Sequence, residues 1–429
     1  MRKYLNPKKK DWDELLKRPM NRTSELKDKV SGVLEDIRIN GEVAVRKYSK
    51  MFDRSAPAEI AVSCDEIEES VKLISEDLKN AINLAAKNIR KFHETQRQTY
   101  TKTETVKGVV CWQKAVPIQK VGLYIPGGTA PLFSTVLMLG IPAKIAGCKK
   151  IILCTPPDSE GNINPAILFA AKVAGITDIF KVGGAQAIGA MAYGAGKIPR
   201  INKIFGPGNQ YVMTAKQLIS LYDVAVDMPA GPSEVAVMAD KDSDPEFIAS
   251  DLLSQAEHGP DSQVLLVTND ESIVDKTELE IEKQLSMLSR KDIAAKSLSH
   301  SVAIVLDSEE KMADIINEYA PEHLIISMND YQKMSEKIVN AGSVFLGKYS
   351  PESAGDYASG TNHTLPTNGW AHAYSGINLD SFIKKITFQE ISEEGIKNLG
   401  PVIETMAEAE HLGAHKNAVT IRLNKIKKQ

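Results

Sequence analysis

The amino-acid sequence predicts an α/β protein: two doubly wound parallel-sheet domains, a helical leader before them and a helical tail after them. Three observations lead there. The chain has 429 residues, too many for one hydrophobic core at roughly 100–200 residues per domain. Short β-rich runs alternate with Ala-rich helical segments in two successive stretches, and such alternation implies parallel sheets covered on both faces. That alternation is absent before about residue 120 and after about residue 376.

Taken in order, residues 1–21 read as an N-terminal arm whose Lys8, Lys9 and Lys10 form a solvated basic end. Residues 22–119 read as a helical leader, because 24–49 and 75–98 carry apolar residues at helical spacing. It is expected to pack on the second sheet domain. Residues 120–231 form the first Rossmann-like domain. Its strands are Val121-Gly-Leu-Tyr-Ile125, Lys150-Ile-Ile-Leu-Cys154, Asp178-Ile-Phe-Lys-Val182, Lys203-Ile-Phe205 and Asp223-Val-Ala-Val226, with helices over 164–174 and 185–193. Residues 232–375 repeat the pattern in Glu234-Val-Ala-Val-Met238, Gln263-Val-Leu-Leu-Val267, Val302-Ala-Ile-Val-Leu306, His323-Leu-Ile-Ile-Ser327 and Ser343-Val-Phe-Leu346. The tail, 376–429, is too short to hold its own core, so it must dock on its own subunit or a neighbour.

Composition removes several function classes. With 43% hydrophobic and 25% charged residues the chain has an ordinary globular make-up. A net charge of −3, from 52 basic and 55 acidic residues, gives no global attraction to nucleic acid or anionic lipid, so neither is an expected partner. No run of about 18 apolar residues spans a bilayer. The irregularly spaced Cys64, Cys111, Cys148 and Cys154, with no apolar signal segment at the start, predict a reducing, cytoplasmic setting.

Candidate chemistry sits in the turns and among the histidines. No G-x-G-x-x-G follows a strand, yet Pro126-Gly-Gly, Gly183-Gly-Ala-Gln-Ala187 and Gly206-Pro-Gly-Asn-Gln210 lie at successive strand-to-helix turns, where backbone N–H groups can meet a nucleotide. Five of eight histidines fall in roughly the last quarter of the chain. Gln255 and His258, three apart, share a helix face, and His411 and His415, four apart, form another such pair. Neither pair is a metal site alone, since three or four ligands are required, but Asp356 or His363 can complete one. These two come from residues 350–363, read as a long polar loop. Glu322 and His323 open a strand; they are either one surface acid with one partly buried imidazole, or a couple for proton transfer.

Read together, Val121-Gly-Leu-Tyr-Ile-Pro-Gly-Gly128, Gly206-Pro-Gly-Asn-Gln-Tyr211, Asp227-Met-Pro-Ala-Gly-Pro-Ser-Glu234, Asp251-Leu-Leu-Ser-Gln-Ala-Glu-His258, Ala320-Pro-Glu-His323, residues 350–363 and residues 410–417 resemble the histidinol dehydrogenase family over essentially the whole chain. The resemblance implies a zinc- and NAD-dependent, four-electron oxidation of L-histidinol through bound L-histidinaldehyde to L-histidine, the last two steps of histidine biosynthesis. It implies one zinc per subunit on Gln255, His258, Asp356 and His415, with Glu322 activating water and His323 as general base. Substrate contacts would be Ser233, His363 and Glu410 together with Gln255, His258, His323, Asp356 and His415. NAD would lie on Tyr124, Gln186 and Asn209. It also implies a homodimer in which the tail crosses to the partner subunit, so that Glu410 and His415 serve the neighbour's site. His411 matches no required position, and no cysteine is needed. Two rivals differ in kind: a zinc hydrolase, which has no use for three Gly-rich turns, and a zinc-stabilised scaffold, which predicts a closed metal shell.

Overall fold

The computed structural model describes residues 1–19, 25–53, 55, 57–127, 131–229 and 231–428, and residue 24 through its backbone alone. Gly128, Thr129 and Ala130 of the first Gly-rich turn, and Ala230 ahead of Ser233, lie outside the described residues. In chain order the strands are β1 (Arg2–Leu5), β2 (Thr103–Val106), β3 (Val109–Pro117), β4 (Lys120–Tyr124), β5 (Lys150–Thr155), β6 (Asp178–Lys181), β7 (Lys203–Phe205), β8 (Ala225–Val226), β9 (Glu234–Ala239), β10 (Gln263–Thr268), β11 (Val302–Val305), β12 (His323–Ile326), β13 (Ser343–Leu346) and β14 (Ile383–Ile391). The chain divides into two compact units, one of residues 1–95 with 119–382, the other of residues 96–118 with 383–429.

The larger unit holds both expected parallel sheets. One has the order β6-β5-β4-β7-β8, the other β1-β11-β10-β9-β12-β13. Their strands are near-continuous runs of β-branched and small apolar residues, buried along almost their whole length in β5, β9, β10 and β12, as strands covered on both faces require. In each sheet the order reverses beside the first strand of the domain, between β4 and β7 and between β9 and β12. In the first sheet the loops after β4 and β7 therefore flank the crevice where open α/β sheets take ligands.

One glycine in that crevice is required by shape. Gly206 has φ 129°, and a Cβ there would lie 2.1 Å from the Tyr124 carbonyl oxygen. Gly206→Ala is therefore expected to cost roughly 1–3 kcal/mol of stability, read as a lowered urea midpoint; an unchanged midpoint would show that the turn relaxes freely.

The leader differs from expectation in two ways. Its helices Ser24–Asn40 and Glu76–Glu94 pack on the first sheet's helices, the former on Gly184–Tyr193 and Gln210–Ser220, the latter on Phe133–Ala146 and Pro165–Ala174. Val30, Val33, Leu34 and Ile37 enter one core with Ile188 and Met191, so the first helix's apolar stripe is spent on the first sheet; the second helix also touches the 232–375 stretch, Asn88 donating to the Ala358 carbonyl at 2.9 Å and His93 lying 3.4 Å from Asn362. Beyond residue 95 the leader stops being helical, because the β-branched stretch 103–117 forms β2 and β3. The tail likewise begins with a strand, β14, antiparallel to β3 in a three-stranded sheet of the smaller unit. It continues as helices Glu393–Ala409 and Gly413–Lys427, which pack on each other. The arm is not wholly solvated: β1 adds to the second sheet beside β11, although Lys8, Lys9 and Lys10 remain exposed. No helix among the described residues is long and apolar enough to cross a membrane, and the four cysteines are free.

Candidate active site

The second sheet places its chemistry at the amino ends of β9 and β12, opposite the edge used by ordinary doubly wound sheets. His323 is the first residue of β12 and Glu322 immediately precedes it. Both are buried, 4% and 7% exposed, so the reading of one surface acid beside a partly buried imidazole fails: strand alternation does not govern a residue lying before the strand. The backbone of Glu234, first residue of β9, holds the two. Its N–H donates to Glu322 Oε2 at 2.9 Å, and its carbonyl oxygen lies 3.2 Å from His323 Nδ1. A carbonyl only accepts, so Nδ1 carries the proton and Nε2 is the basic atom. Nε2 has no hydrogen-bond partner among the described residues and lies 3.6 Å from Asp356 Oδ1.

Asp356 arrives there because residues 350–363 are not simply a loop. Glu352–Tyr357 forms a short helix after Pro351, with an acid in the first turn that suits the helix N-terminus. It packs close to β13: a Cβ on Gly355 would lie 2.7 Å from the Phe345 ring. Glu352 and Asp356, four apart, consequently share a face. The helix Pro245–Ala256, started by Pro245 and capped by the Asp244 side chain, brings up Gln255 on the expected face, and His258 follows its end. Oxygen or nitrogen atoms of His258, Glu352 and Asp356 lie within 4.8 Å of one another. Gln255, 1% exposed, orients its amide so that Nε2 donates to Glu352 Oε2 at 3.0 Å.

The electrostatics of this group are those of a charge surplus. Burial disfavours a charged His323 ring, but Glu352, Glu322 and Asp356 outweigh it and push its pKa up to about 10. Burial pushes Glu322 up to about 8 and Glu352 well above the usual carboxylate range. For Asp356 burial acts the same way, but His323 holds it below its ordinary value. His258 stands on the exposed side of the cluster; its ring is crowded enough that desolvation lowers its pKa. His363 is half-buried, with Nδ1 2.9 Å from the Asp356 carbonyl and Nε2 3.1 Å from Thr135 Oγ1. Ser233 is half-buried directly before β9, and its carbonyl accepts from the Gln263 N–H.

The predicted nucleotide residues gather at the carboxyl edge of the first sheet. A cavity of about 880 Å³ there is lined by Tyr124, Pro126, Thr155, Gly184, Asn209 and Asp53, among others. The Tyr124 hydroxyl accepts from the Gly184 N–H at 3.1 Å, and Asn209 caps the helix Gln210–Ser220 through the N–H groups of Tyr211 and Val212. Gln186 is fully buried; its Nε2 donates to Asp53 at 3.0 Å while Oε1 has no partner among the described residues. Glu410 and His415 belong to the smaller unit, at the end of helix Glu393–Ala409 and in helix Gly413–Lys427, both exposed. His411 and His415 do not share a helix face, since the chain turns between the two helices with His411 at φ 58°.

Comparison with known proteins gives the same direction along the whole chain. The histidinol dehydrogenase family model matches residues 16–423. The chain is 60% identical over 422 residues to the histidinol dehydrogenase of Bacteroides fragilis, covering 98% of this chain and 99% of that one. It is 50% identical over 417 residues to that of Vibrio parahaemolyticus, 96% of each. The crystal structure of histidinol dehydrogenase from Elizabethkingia anophelis matches with a TM-score of 0.97 at 56% identity, covering 100% of this chain and 99% of that one. The chain belongs to the histidinol dehydrogenase family. It is an oxidoreductase of histidine biosynthesis, which sets aside the hydrolase and scaffold readings.

Against that family frame, sequence reasoning passed over Glu352, the carboxylate that fixes Gln255, and Asp53, which fixes Gln186. The signal for Glu352 is its place four residues before Asp356, visible only if 352–357 is recognised as helical.

Proposed function

We propose that this chain oxidises L-histidinol in two steps through bound L-histidinaldehyde to L-histidine, with zinc and NAD, as a cytoplasmic homodimer. The observation carrying the proposal is the cluster at the start of β12, where a buried, unpartnered His323 Nε2 faces Asp356 beside Glu352 and His258. Its donors suit zinc: imidazole nitrogen, carboxylate oxygen and a Gln255 amide whose Nε2 is committed to Glu352, so that Oε1 is the ligating atom. Two buried carboxylates, Glu322 and Glu352, and the half-buried Asp356 around one ring also form a surplus that a divalent cation balances. Gln255, His258 and Asp356 would hold the metal, with His415 of the neighbouring subunit completing the set. The buried, unpartnered Gln186 Oε1 and the crevice beside Tyr124 and Asn209 suit a dinucleotide's hydrogen-bond donors.

When bound, zinc fixes the amino alcohol and its imidazole in place, and NAD takes up one hydride in each step. The chain's residues handle the protons. With a divalent cation offsetting the carboxylates that push the His323 ring up, Nε2 is left unprotonated; Nε2 then accepts the hydroxyl proton of the alcohol while Nδ1–H stays on the Glu234 carbonyl, which keeps the ring oriented. Once His323 has released the first proton to solvent, Glu322 takes a proton from the water that adds to the aldehyde, and the freed His323 Nε2 accepts the hydroxyl proton of the resulting diol as the second hydride leaves. Ser233, His363 and the neighbour's Glu410 would contact the substrate. Its burial keeps the aldehyde from bulk water and side reactions.

Product analysis tests the activity: L-histidine is expected from L-histidinol with protein, zinc and NAD, and its absence would overturn the proposal. The crossing tail has its own test. His323→Asn and His415→Asn proteins are each expected to be inactive, and re-associated mixtures should recover up to roughly a quarter of normal activity, since each mixed dimer contains one site free of both lesions. No recovery would place each tail at its own subunit's site.

A further inference from the structure

The N-terminal arm reaches the reacting couple through one residue. Arg18 is largely buried and grips the Glu234 carboxylate with two prongs, Nε to Oε1 at 2.5 Å and Nη2 to Oε2 at 3.0 Å. Its Nη2 also donates to the Tyr319 carbonyl at 2.6 Å, and the guanidinium lies 4.1 Å from the centroid of the Tyr319 ring. The same Glu234 carboxylate accepts the Asn368 N–H at 2.8 Å. Its side chain is thus immobilised from both sides, while its backbone holds Glu322 by the N–H and His323 by the carbonyl. No other described side chain is seen to join the arm to both reacting groups through a single residue.

We propose that Arg18 is a positioning residue: by fixing Glu234 it sets the orientation of both Glu322 and His323, touching neither. The inference rests on the reading of those two as the reacting couple. A fork of five donors is needed for the role, because Lys supplies a point charge without two parallel hydrogen bonds. A misplacement of about 1 Å at reacting groups costs on the order of 10²-fold in rate, so the effect belongs in kcat and not in binding.

The test compares Arg18→Met, Arg18→Lys and the double variant Arg18→Met/Glu234→Gln for thermal unfolding, bound zinc, kcat and KM for L-histidinol. Arg18→Met is expected to lower kcat about 10- to 100-fold with KM and zinc content within about twofold of the parent, and Arg18→Lys to recover part of the loss. Loss of Arg18 alone leaves a buried unpaired carboxylate and can impair folding. The double variant removes that charge, and it is expected to unfold near the parent temperature while kcat stays low. Full recovery of kcat in the double variant would mean that Arg18 merely neutralises Glu234, and an unchanged kcat in Arg18→Met would equally overturn the role. A parental kcat in His323→Asn would instead refute the reacting couple itself.

Discussion

His323→Asn is expected to slow both oxidation steps by roughly 10²–10⁴-fold, the usual contribution of a positioned general base. Asn is short enough to fit the buried site and can still meet the Glu234 carbonyl, so folding should survive; what disappears is the basic Nε2 atom facing Asp356. Because the same atom accepts a proton in each step, single-turnover rates from histidinol and from supplied histidinaldehyde should fall together. Wild-type rates in either half would remove His323 from that half.

Glu322→Gln separates the halves. The amide keeps the carboxylate's shape and can still accept the Glu234 N–H, so the buried geometry is retained; the ability to take a proton from water is lost. The aldehyde-to-acid step is therefore expected to drop by on the order of 10²-fold or more while the first hydride transfer changes far less. Rapid mixing would then show a normal first phase of NADH formation and a slow second phase. An unchanged rate from supplied aldehyde would remove Glu322 from water activation.

Much of the architecture was readable because strands covered on both faces announce themselves as continuous apolar runs: each of the ten runs marked in residues 120–375 forms a strand. The strands that escaped, β2, β3 and β14, belong to a small sheet whose residues are mostly exposed or half-buried and mix Lys, Thr and Gln with apolar residues. β1 escaped because four residues at a sheet edge carry little pattern. An amphipathic helix shows that it has a buried face and not which sheet receives it, so the leader's packing was out of reach. At the site, helical spacing put Gln255 and His258 on one face, but a metal role for them was assigned only through the family resemblance, and His258 lies just past the helix end. Asp356 was legible as chemistry but not as structure, since a Gly-containing polar segment reads as loop, and here Gly355 exists to let the helix approach Phe345. Glu234 and Arg18 were invisible for another reason: one acts through its backbone, the other grips it from 216 residues away in sequence.

The central claim is that one site carries out both oxidations without releasing the aldehyde. It is tested most directly by counting NADH formed per L-histidinol consumed by the purified protein, with zinc, then with a chelator, then with zinc restored. Two NADH per substrate, lost on chelation and regained with zinc, is the predicted result. One NADH per substrate, with free aldehyde in solution, would contradict it.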